Sequence, residues 1–224
     1  MIHNKILAVK HSCLNTVDDG EKYLCTYNSS PEKCLKCGAI IQDELLIQII
    51  PPFSNAHVPI MFSSYPVARI AFISSNNSSI LNYRSDINLH CGAVDSEGKV
   101  YNFTNQFGIK SDSNGWEESI IINVSEAAWC KSLTSLKWDE IIHSFVNNSK
   151  RTVFSSMKQN YDCLDFVIDI IRSAINDEVN RVLVAQWLST PLECIILYAD
   201  IVKQLESGSV QVIQELHNNS IGQL

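Results

Sequence analysis

The sequence predicts an α+β fold, in which an antiparallel sheet packs against C-terminal helices and a small cysteine-bearing appendage precedes both. Three observations predict this class. Short strand-like segments separated by turn formers fill the middle of the chain, apolar residues at helical spacing fill its C-terminal part, and four of the eight cysteines lie in the first 40 residues. Strands first and helices later are typical of α+β domains. We therefore expect an appendage over residues 1–42 and an α+β domain over residues 43–224.

The strand predictions rest on short β-branched and apolar runs that end at turn formers. Pro51 and Pro52 stop the first run, and the turn Asp95–Gly98 joins the third and fourth runs into a hairpin. The five predicted strands cover residues 45–50, 67–73, 87–94, 99–103 and 119–124.

Three later segments have the spacing of helices. The first covers residues 136–146, with Trp138 and Ile142 on its apolar face. Asn160 is the predicted N-cap of a second helix that contains Cys163. Thr190 followed by Pro191 predicts the N-cap and first position of a third helix, because proline is favoured where no backbone donor is needed.

The composition limits the classes of partner. The 224 residues are 46% hydrophobic and carry a net charge of −7 with scattered charges, which disfavours nucleic-acid binding. No Lys/Arg run would hold an anionic membrane surface, and we expect no membrane span, because no apolar run approaches the roughly 20 residues that one needs. The apolar stretch at the start is too short for a signal peptide, so a cytoplasmic or nuclear location is expected.

The N-terminal cysteines predict a structural zinc site. Cys34 and Cys37 are separated by two residues and followed by Gly38, so both thiolates can face one ion while the glycine permits a tight turn. In a reducing compartment, metal ligation is more typical of such a pattern than a disulfide framework. His11 and Cys13 are the expected remaining ligands of this zinc-knuckle-like appendage. Cys25 is an alternative fourth ligand, and ordinary thiols in a loop-rich segment are the alternative interpretation.

A histidine, an asparagine and a cysteine form the second candidate site. His90 and Asn102 lie twelve residues apart across the predicted hairpin, so both can project from one face of paired strands. Cys163 falls in the first turn of a helix, where backbone amides and the helix dipole stabilise a thiolate. A thiol nucleophile needs a base, and the base needs a third group that fixes its tautomer. The alternative is a hydrogen-bonded core histidine beside an inert buried thiol.

This arrangement resembles the permuted papain-like group, which includes the lecithin:retinol acyltransferase-like enzymes and related deubiquitinase-like peptidases. The resemblance rests on His-x-Gly at residues 90–92, the polar residue twelve positions on, and Cys-x-x-Phe-Val at residues 163–167. It implies that His90 is the base, Asn102 its orienting group and Cys163 the nucleophile toward acyl carbonyls. The sequence departs from the group at Asp162, where those families usually have asparagine, and a carboxylate beside the thiol opposes thiolate formation.

A second resemblance covers most of the chain. The sequence is similar to the makorin-2 opposite-strand protein family, in which a CxxCG element also lies at the start. The matching segments are Pro52–His57, Ser85–Gly92, Gly98–Phe103 and Gly115–Ile120. This resemblance implies an order of segments and no activity.

Two functions follow as hypotheses. We favour a non-catalytic interaction module, in which the zinc appendage and an acidic surface face a protein partner. The alternative is a cysteine-dependent hydrolase or acyl transferase that attacks an ester, thioester or isopeptide carbonyl. In that alternative Cys163 acts with His90 and Asn102, and backbone amides at the helix start hold the oxyanion.

Overall fold

A computed structural model describes the chain over residues 5–14, 22–41, 46–60, 68–76, 78–128, 133–151, 160–175, 179–208, 212–215 and 221–222. These residues form antiparallel sheets and α-helices, as the sequence predicts. The chain divides into two compact units. Unit 1 contains residues 1–52 and 193–224, and unit 2 contains residues 53–192. Residues 193–224 therefore belong to the same unit as residues 1–52, whereas the prediction placed a single boundary at residue 42.

Unit 1 is built on a five-stranded antiparallel sheet in the order β10-β3-β1-β2-β9. Its strands are β1 (Ile6–Val9), β2 (Lys22–Tyr27), β3 (Leu46–Ile49), β9 (Val212–Glu215) and β10 (Ile221–Gly222). Only β3 was predicted as a strand. The strands β1 and β2 lie in the part of the chain that the prediction treated as a loop-rich appendage.

Unit 2 contains the second five-stranded antiparallel sheet, in the order β7-β6-β5-β4-β8. Its strands are β4 (Arg69–Ser74), β5 (Leu89–Val94), β6 (Val100–Thr104), β7 (Gly108–Asp112) and β8 (Ile120–Asn123). Four of these strands confirm the prediction. The edge strand β7 was missed because its sequence, GIKSD, has almost no apolar alternation.

Three helices follow this sheet within unit 2: α1 (Val124–Ala127), α2 (Ser135–Arg151) and α3 (Cys163–Ile175). The predicted cap of α3 is wrong by two residues. Asp162, not Asn160, caps the helix, because its Oδ1 accepts hydrogen bonds from the backbone N–H groups of Leu164 and Asp165 at 2.9 and 3.1 Å. The apolar face of α3 packs against β5, β6 and α2.

The last helix, α4, covers Arg181–Glu206 without a break. The prediction of a helix start at Thr190 is therefore wrong: the N-cap is Asn180, whose side chain accepts from the N–H of Leu183 at 3.0 Å, and Pro191 lies inside the helix. By length and composition alone, α4 is apolar enough to cross a membrane. Core helices of soluble proteins meet the same criterion, but they are mostly buried, whereas 28% of the apolar window of α4 is buried. The absence of a membrane span stays a prediction.

Candidate functional site

Cys163 is the first residue of α3, and the hydrogen bonds around the helix start hold it there. The side chain of Asp162 caps the helix, and the Arg181 guanidinium lies 2.8 Å from both the Asp162 and Asp165 carboxylates. These contacts lower the pKa of Asp162 although its burial acts in the opposite direction. The negative charge that the sequence places beside the thiol is thus balanced by Arg181.

The sheet brings His90 and Asn102 together, as the hairpin predicts. Gly92 of β5 pairs directly with Asn102 of β6, and His90 lies two residues before Gly92 on the same strand. His90 Nε2 lies 3.1 Å from Asn102 Oδ1. A Cβ atom at Gly92 would lie 2.6 Å from Val100 Cγ1 and 3.2 Å from the Cβ of Asn102. Only glycine therefore lets β6 carry Asn102 this close to β5.

Asp112, which the sequence analysis did not single out, fixes the orientation of the Asn102 amide. Asn102 Nδ2 donates to Asp112 Oδ2 at 2.7 Å. A carboxylate only accepts, so the amide nitrogen must face Asp112 and the amide oxygen must face His90. His90 Nε2 consequently carries the proton and donates to that oxygen. This leaves His90 Nδ1 with the lone pair that can accept a proton from a thiol.

Cys163 and His90 line the same cavity and interact as a thiol–imidazole pair. The pKa of Cys163 is lowered from 9.0 to about 5, chiefly by a hydrogen bond from the Cys91 thiol and then, against the effect of burial, by hydrogen bonds from His90 and the Cys91 backbone. Burial opposes protonation of His90, but hydrogen bonds with Cys163 and Asn102 outweigh it and raise the His90 pKa. The two shifts together favour a thiolate beside an imidazolium.

Cys91 is the second residue that the sequence analysis missed. Neighbouring residues of a strand point to opposite faces, yet both the thiol and the backbone of Cys91 interact with Cys163, as the side chain of His90 does. The Cys91 side chain is buried, and its hydrogen bond with Cys163, followed by burial, raises its pKa well above the ordinary value. The position of Cys91 next to His90 in the sequence was the available signal. Only the packing of α3 on β5 brings Cys163 to Cys91, and the sequence does not show this packing.

Trp116 covers the imidazole. Its ring centroid lies 5.6 Å from that of His90 at an interplanar angle of 39°, and its indole N–H lies 3.4 Å from Asp112 Oδ2. Trp116 is buried in a core cluster with Ala71 and Val94. It shields the His90–Asn102–Asp112 chain from water on one side, and a lower local dielectric strengthens those hydrogen bonds.

A cavity of about 610 Å³ opens beside the thiol. Cys163, His90 and Cys91 all line it, and most of the remaining wall is apolar, with Asp162 and Arg181 as its charged residues. A substrate bound in this cavity would lie next to the Cys163 sulfur.

The helix start does not offer the oxyanion donors that the sequence analysis expected. The N–H groups of Leu164 and Asp165 both donate to Asp162 Oδ1. They are therefore not available to a developing oxyanion, and the expectation fails for these two amides. The reason is that Asp162 caps the helix, and a capping carboxylate accepts hydrogen bonds from the free N–H groups of the first turn.

Unit 1 contains a separate cluster of four predicted metal ligands, which we call the His–Cys cluster: His11, Cys13, Cys34 and Cys37. One ligand atom from each residue lies within 4.8 Å of all the others. His11 Nε2 is 3.3 Å from Cys37 Sγ, and Cys13 Sγ is 3.4 Å from Cys34 Sγ. These separations are close to the edge of about 3.8 Å of a tetrahedron with metal–sulfur bonds of about 2.3 Å. The cluster could hold a metal ion.

The local backbone explains the close approach of Cys34 and Cys37. Gly38 has φ +71° and its N–H donates to the Cys34 carbonyl at 2.8 Å, while the Cys34 N–H donates to Ala39 at 2.8 Å. Backbone and His11 hydrogen bonds lower the pKa of Cys37 to about 7. Cys25, the alternative ligand, is instead buried in β2, where burial raises its pKa to about 12. The described cluster does not include it.

Fold and site together define a class: an α+β protein in which a helix-start cysteine meets a strand histidine that an asparagine orients. Residues 49–205 match the family model described as DUF4796 C-terminal. The match covers more than half of the chain, which therefore belongs to this family. The matched region includes His90, Asn102 and Cys163 and excludes the His–Cys cluster.

The chain is also similar to the human MKRN2 opposite strand protein, with 23% identity over 164 residues. The similar region covers 70% of this chain and 68% of the human protein. This similarity agrees with the second resemblance seen in the sequence. No solved structure matches the chain, so the permuted papain-like resemblance gains no support from structural neighbours.

Proposed function

We propose that this protein is a cysteine-dependent hydrolase or acyl transferase, with Cys163 as nucleophile, His90 as general base and acid, and Asn102 as the residue that orients His90. One observation carries the proposal: the Cys163 thiol and the His90 imidazole line the same cavity and shift each other's pKa toward a thiolate–imidazolium pair. A buried inert thiol needs neither a base nor access to a cavity. The geometry thus favours the alternative hypothesis over the non-catalytic module.

In the proposed reaction the Cys163 thiolate attacks the carbonyl carbon of an ester, thioester or isopeptide. The imidazolium of His90 then gives its Nδ1 proton to the leaving group as the tetrahedral intermediate collapses to a thioester. His90 next takes a proton from water or from an acceptor alcohol or amine as the acceptor's oxygen or nitrogen attacks the thioester carbonyl. The C–S bond then breaks, the acyl group leaves on the acceptor, and the thiolate–imidazolium pair is restored. Asn102 keeps His90 Nε2 protonated throughout, and Asp112 in turn keeps the Asn102 oxygen facing His90.

The permuted papain-like arrangement is part of the same proposal. What supports it is the placement of the three groups: the base on β5, the orienting amide on the neighbouring β6 and the thiol at the start of the helix that packs on both strands. The order along the chain, histidine before cysteine, is the order that the resemblance implies.

Acylation by an activated ester tests the enzyme proposal. The full chain is mixed with p-nitrophenyl acetate, and nitrophenol release and the mass of the protein are recorded over time. We expect a burst of nitrophenol that matches acetylation of Cys163, followed by slower turnover. The variant Cys163→Ala should lose the burst, and the matched variant Cys194→Ala, which removes a half-buried thiol of unit 1, should keep it. An equal burst in both variants would refute the role of Cys163.

We propose further that the His–Cys cluster binds one structural zinc ion. One histidine and three cysteines are a donor set that zinc prefers, and four protein ligands leave no open position for chemistry. When bound, zinc would hold the turn around Cys34 and Cys37 to the segment of His11 and Cys13. Metal analysis of the purified chain should find about one zinc per chain, and Cys37→Ser should lower that content. A folded protein without metal would end this proposal.

Protein interaction through unit 1 is the second candidate function. The observation that favours it is two large apolar side chains on the Cys34–Ile40 turn: Leu35 is 65% exposed and Ile40 is 63% exposed. Exposed apolar residues that are close together are typical of contact surfaces. Proteins that co-purify with the chain should be lost from a Leu35→Asp/Ile40→Asp variant and retained by Leu136→Asp, which changes an exposed leucine of unit 2. Equal retention by both variants would contradict this function.

A further inference from the structure

The site contains a second thiol that the proposed acyl chemistry does not use as a reactant. Cys91 and Cys163 line the same cavity, and the side chain of each shifts the pKa of the other. The helix that begins at Cys163 packs directly on the strand that contains Cys91.

We propose that Cys91 and Cys163 form a reversible disulfide when a hydroperoxide enters the cavity, which makes Cys163 the peroxide-reactive residue and Cys91 its resolving residue. The inference rests on the thiolate of Cys163 that the proposed function also requires. Beyond the proposed function, the inference assigns a modification site at Cys91 and Cys163 and hydroperoxides as the reactant. The disulfide would inactivate the Cys163 nucleophile reversibly.

The chemistry balances with a hydroperoxide as the oxidant. The Cys163 thiolate attacks the terminal peroxide oxygen and the O–O bond breaks, which gives a sulfenic acid and an alcohol that takes its proton from His90. The sulfur of Cys91 then attacks the Cys163 sulfur, the S–O bond breaks, and the hydroxide leaves as water with the Cys91 proton. Two thiols and one hydroperoxide thus yield one disulfide, one alcohol and one water.

The surroundings explain why the two cysteines would take different roles. Cys163 is half-buried at the cavity wall and interacts with His90, whereas Cys91 is only 2% exposed. A peroxide therefore meets Cys163 first. The interaction with the Cys163 thiolate is the largest cause of the raised pKa of Cys91, and a sulfenic acid carries no such charge. Oxidation of Cys163 thus makes Cys91 easier to deprotonate at the step that needs its sulfur.

Peptide mapping after mild oxidation tests the inference on the full reduced chain. Hydrogen peroxide is added in small excess, remaining thiols are alkylated, and tryptic peptides are analysed without reduction. We expect a cross-linked pair that joins residues 85–99 to residues 159–172 with the loss of two hydrogens. Labelling of Cys163 should fall at least tenfold and return after treatment with dithiothreitol.

Two variants separate the possible outcomes. Cys91→Ser should abolish the cross-link and let Cys163 gain two or three oxygens irreversibly, whereas Cys194→Ser should behave as the native chain. Irreversible oxidation of Cys163 in the native chain, or cross-links through other cysteines instead, would overturn the inference while leaving the acyl proposal intact. Slow reaction of Cys163 with both peroxide and p-nitrophenyl acetate would overturn both.

Discussion

Lowering the pH should distinguish the thiol of Cys163 from an ordinary thiol much better than a measurement at neutral pH. The pKa of Cys163 is about 5, against an ordinary value of 9.0. At pH 7 this raises the thiolate fraction about 100-fold, but a thiolate of low basicity is a weaker nucleophile, by about 40- to 100-fold for a change of this size. The two effects nearly cancel. Fast labelling at pH 7 is therefore not the expected result.

At pH 5 the balance changes. About half of Cys163 is still thiolate, whereas an ordinary thiol is about 0.01% thiolate. After the same loss of nucleophilicity, Cys163 should react about 50- to 125-fold faster than an ordinary thiol. The sign follows from the lowered pKa: the thiolate persists at every pH above about 5 and is lost only as the pH falls through that value.

The assay measures the rate of reaction with a dipyridyl disulfide from pH 4 to pH 9, with the modified residue identified by peptide mass. The rate at Cys163 should be nearly constant between pH 6 and pH 8 and should halve near pH 5. The shape of this curve does not depend on how accessible the half-buried sulfur is. Glutathione provides the ordinary thiol, and Cys163→Ser confirms the assignment. A tenfold rise in the Cys163 rate for each pH unit from 6 to 8 would refute the thiolate–imidazolium pair.

Three further predictions follow from the same contacts. Asp112→Asn should raise the pH midpoint of the Cys163 rate curve by up to about one pH unit. The Asp112 charge helps to raise the His90 pKa, so its removal weakens the imidazolium that stabilises the thiolate. Asp86→Asn, which changes an exposed carboxylate, should leave the midpoint unchanged. Gly92→Ala should lower the free energy of unfolding, measured by urea denaturation, by about 1–3 kcal/mol. It should also slow acylation, because the added methyl group displaces Asn102. A variant as stable as the native chain would contradict the close packing at Gly92. A chelator should lower the thermal unfolding midpoint of the chain, and added zinc should restore it. Zinc at a concentration about 1,000-fold above its dissociation constant should stabilise the chain by about 4 kcal/mol. A midpoint that does not change in the chelator would exclude a structural metal.

The sequence predicted those elements whose signal is local. Strands β3, β4, β5, β6 and β8 and the helical character of residues 136–146 follow from periodicity and turn formers, which depend on neighbours within a few residues. The pairing of His90 with Asn102 was also accessible, because a tight hairpin fixes the register of its two strands. The gathering of His11 and Cys13 with Cys34 and Cys37 was predicted from ligand spacing.

The predicted starts of two helices were wrong, because a short polar side chain or a proline is compatible with more than one position in a helix. Asn160 and Asp162 are both good capping residues, and Asp162 takes the role in the structure, with Arg181 as its ion-pair partner. Thr190 and Pro191 have the pattern of a helix start, but Leu188 before them and Ile195 after them are buried and α4 continues through. Burial of a helix face outweighs the cost of a proline in its interior.

The sequence by itself determined that a histidine and an asparagine share one face of a hairpin and that a cysteine begins a helix. Only the tertiary structure decided that the cysteine meets the histidine, because that contact depends on how α3 packs on β5, with more than 70 residues between the two side chains. The same packing added Cys91 to the site, and the pairing of β7 with β6 added Asp112. The chemistry of such a site depends on distances across the fold, and no periodicity along the chain encodes them.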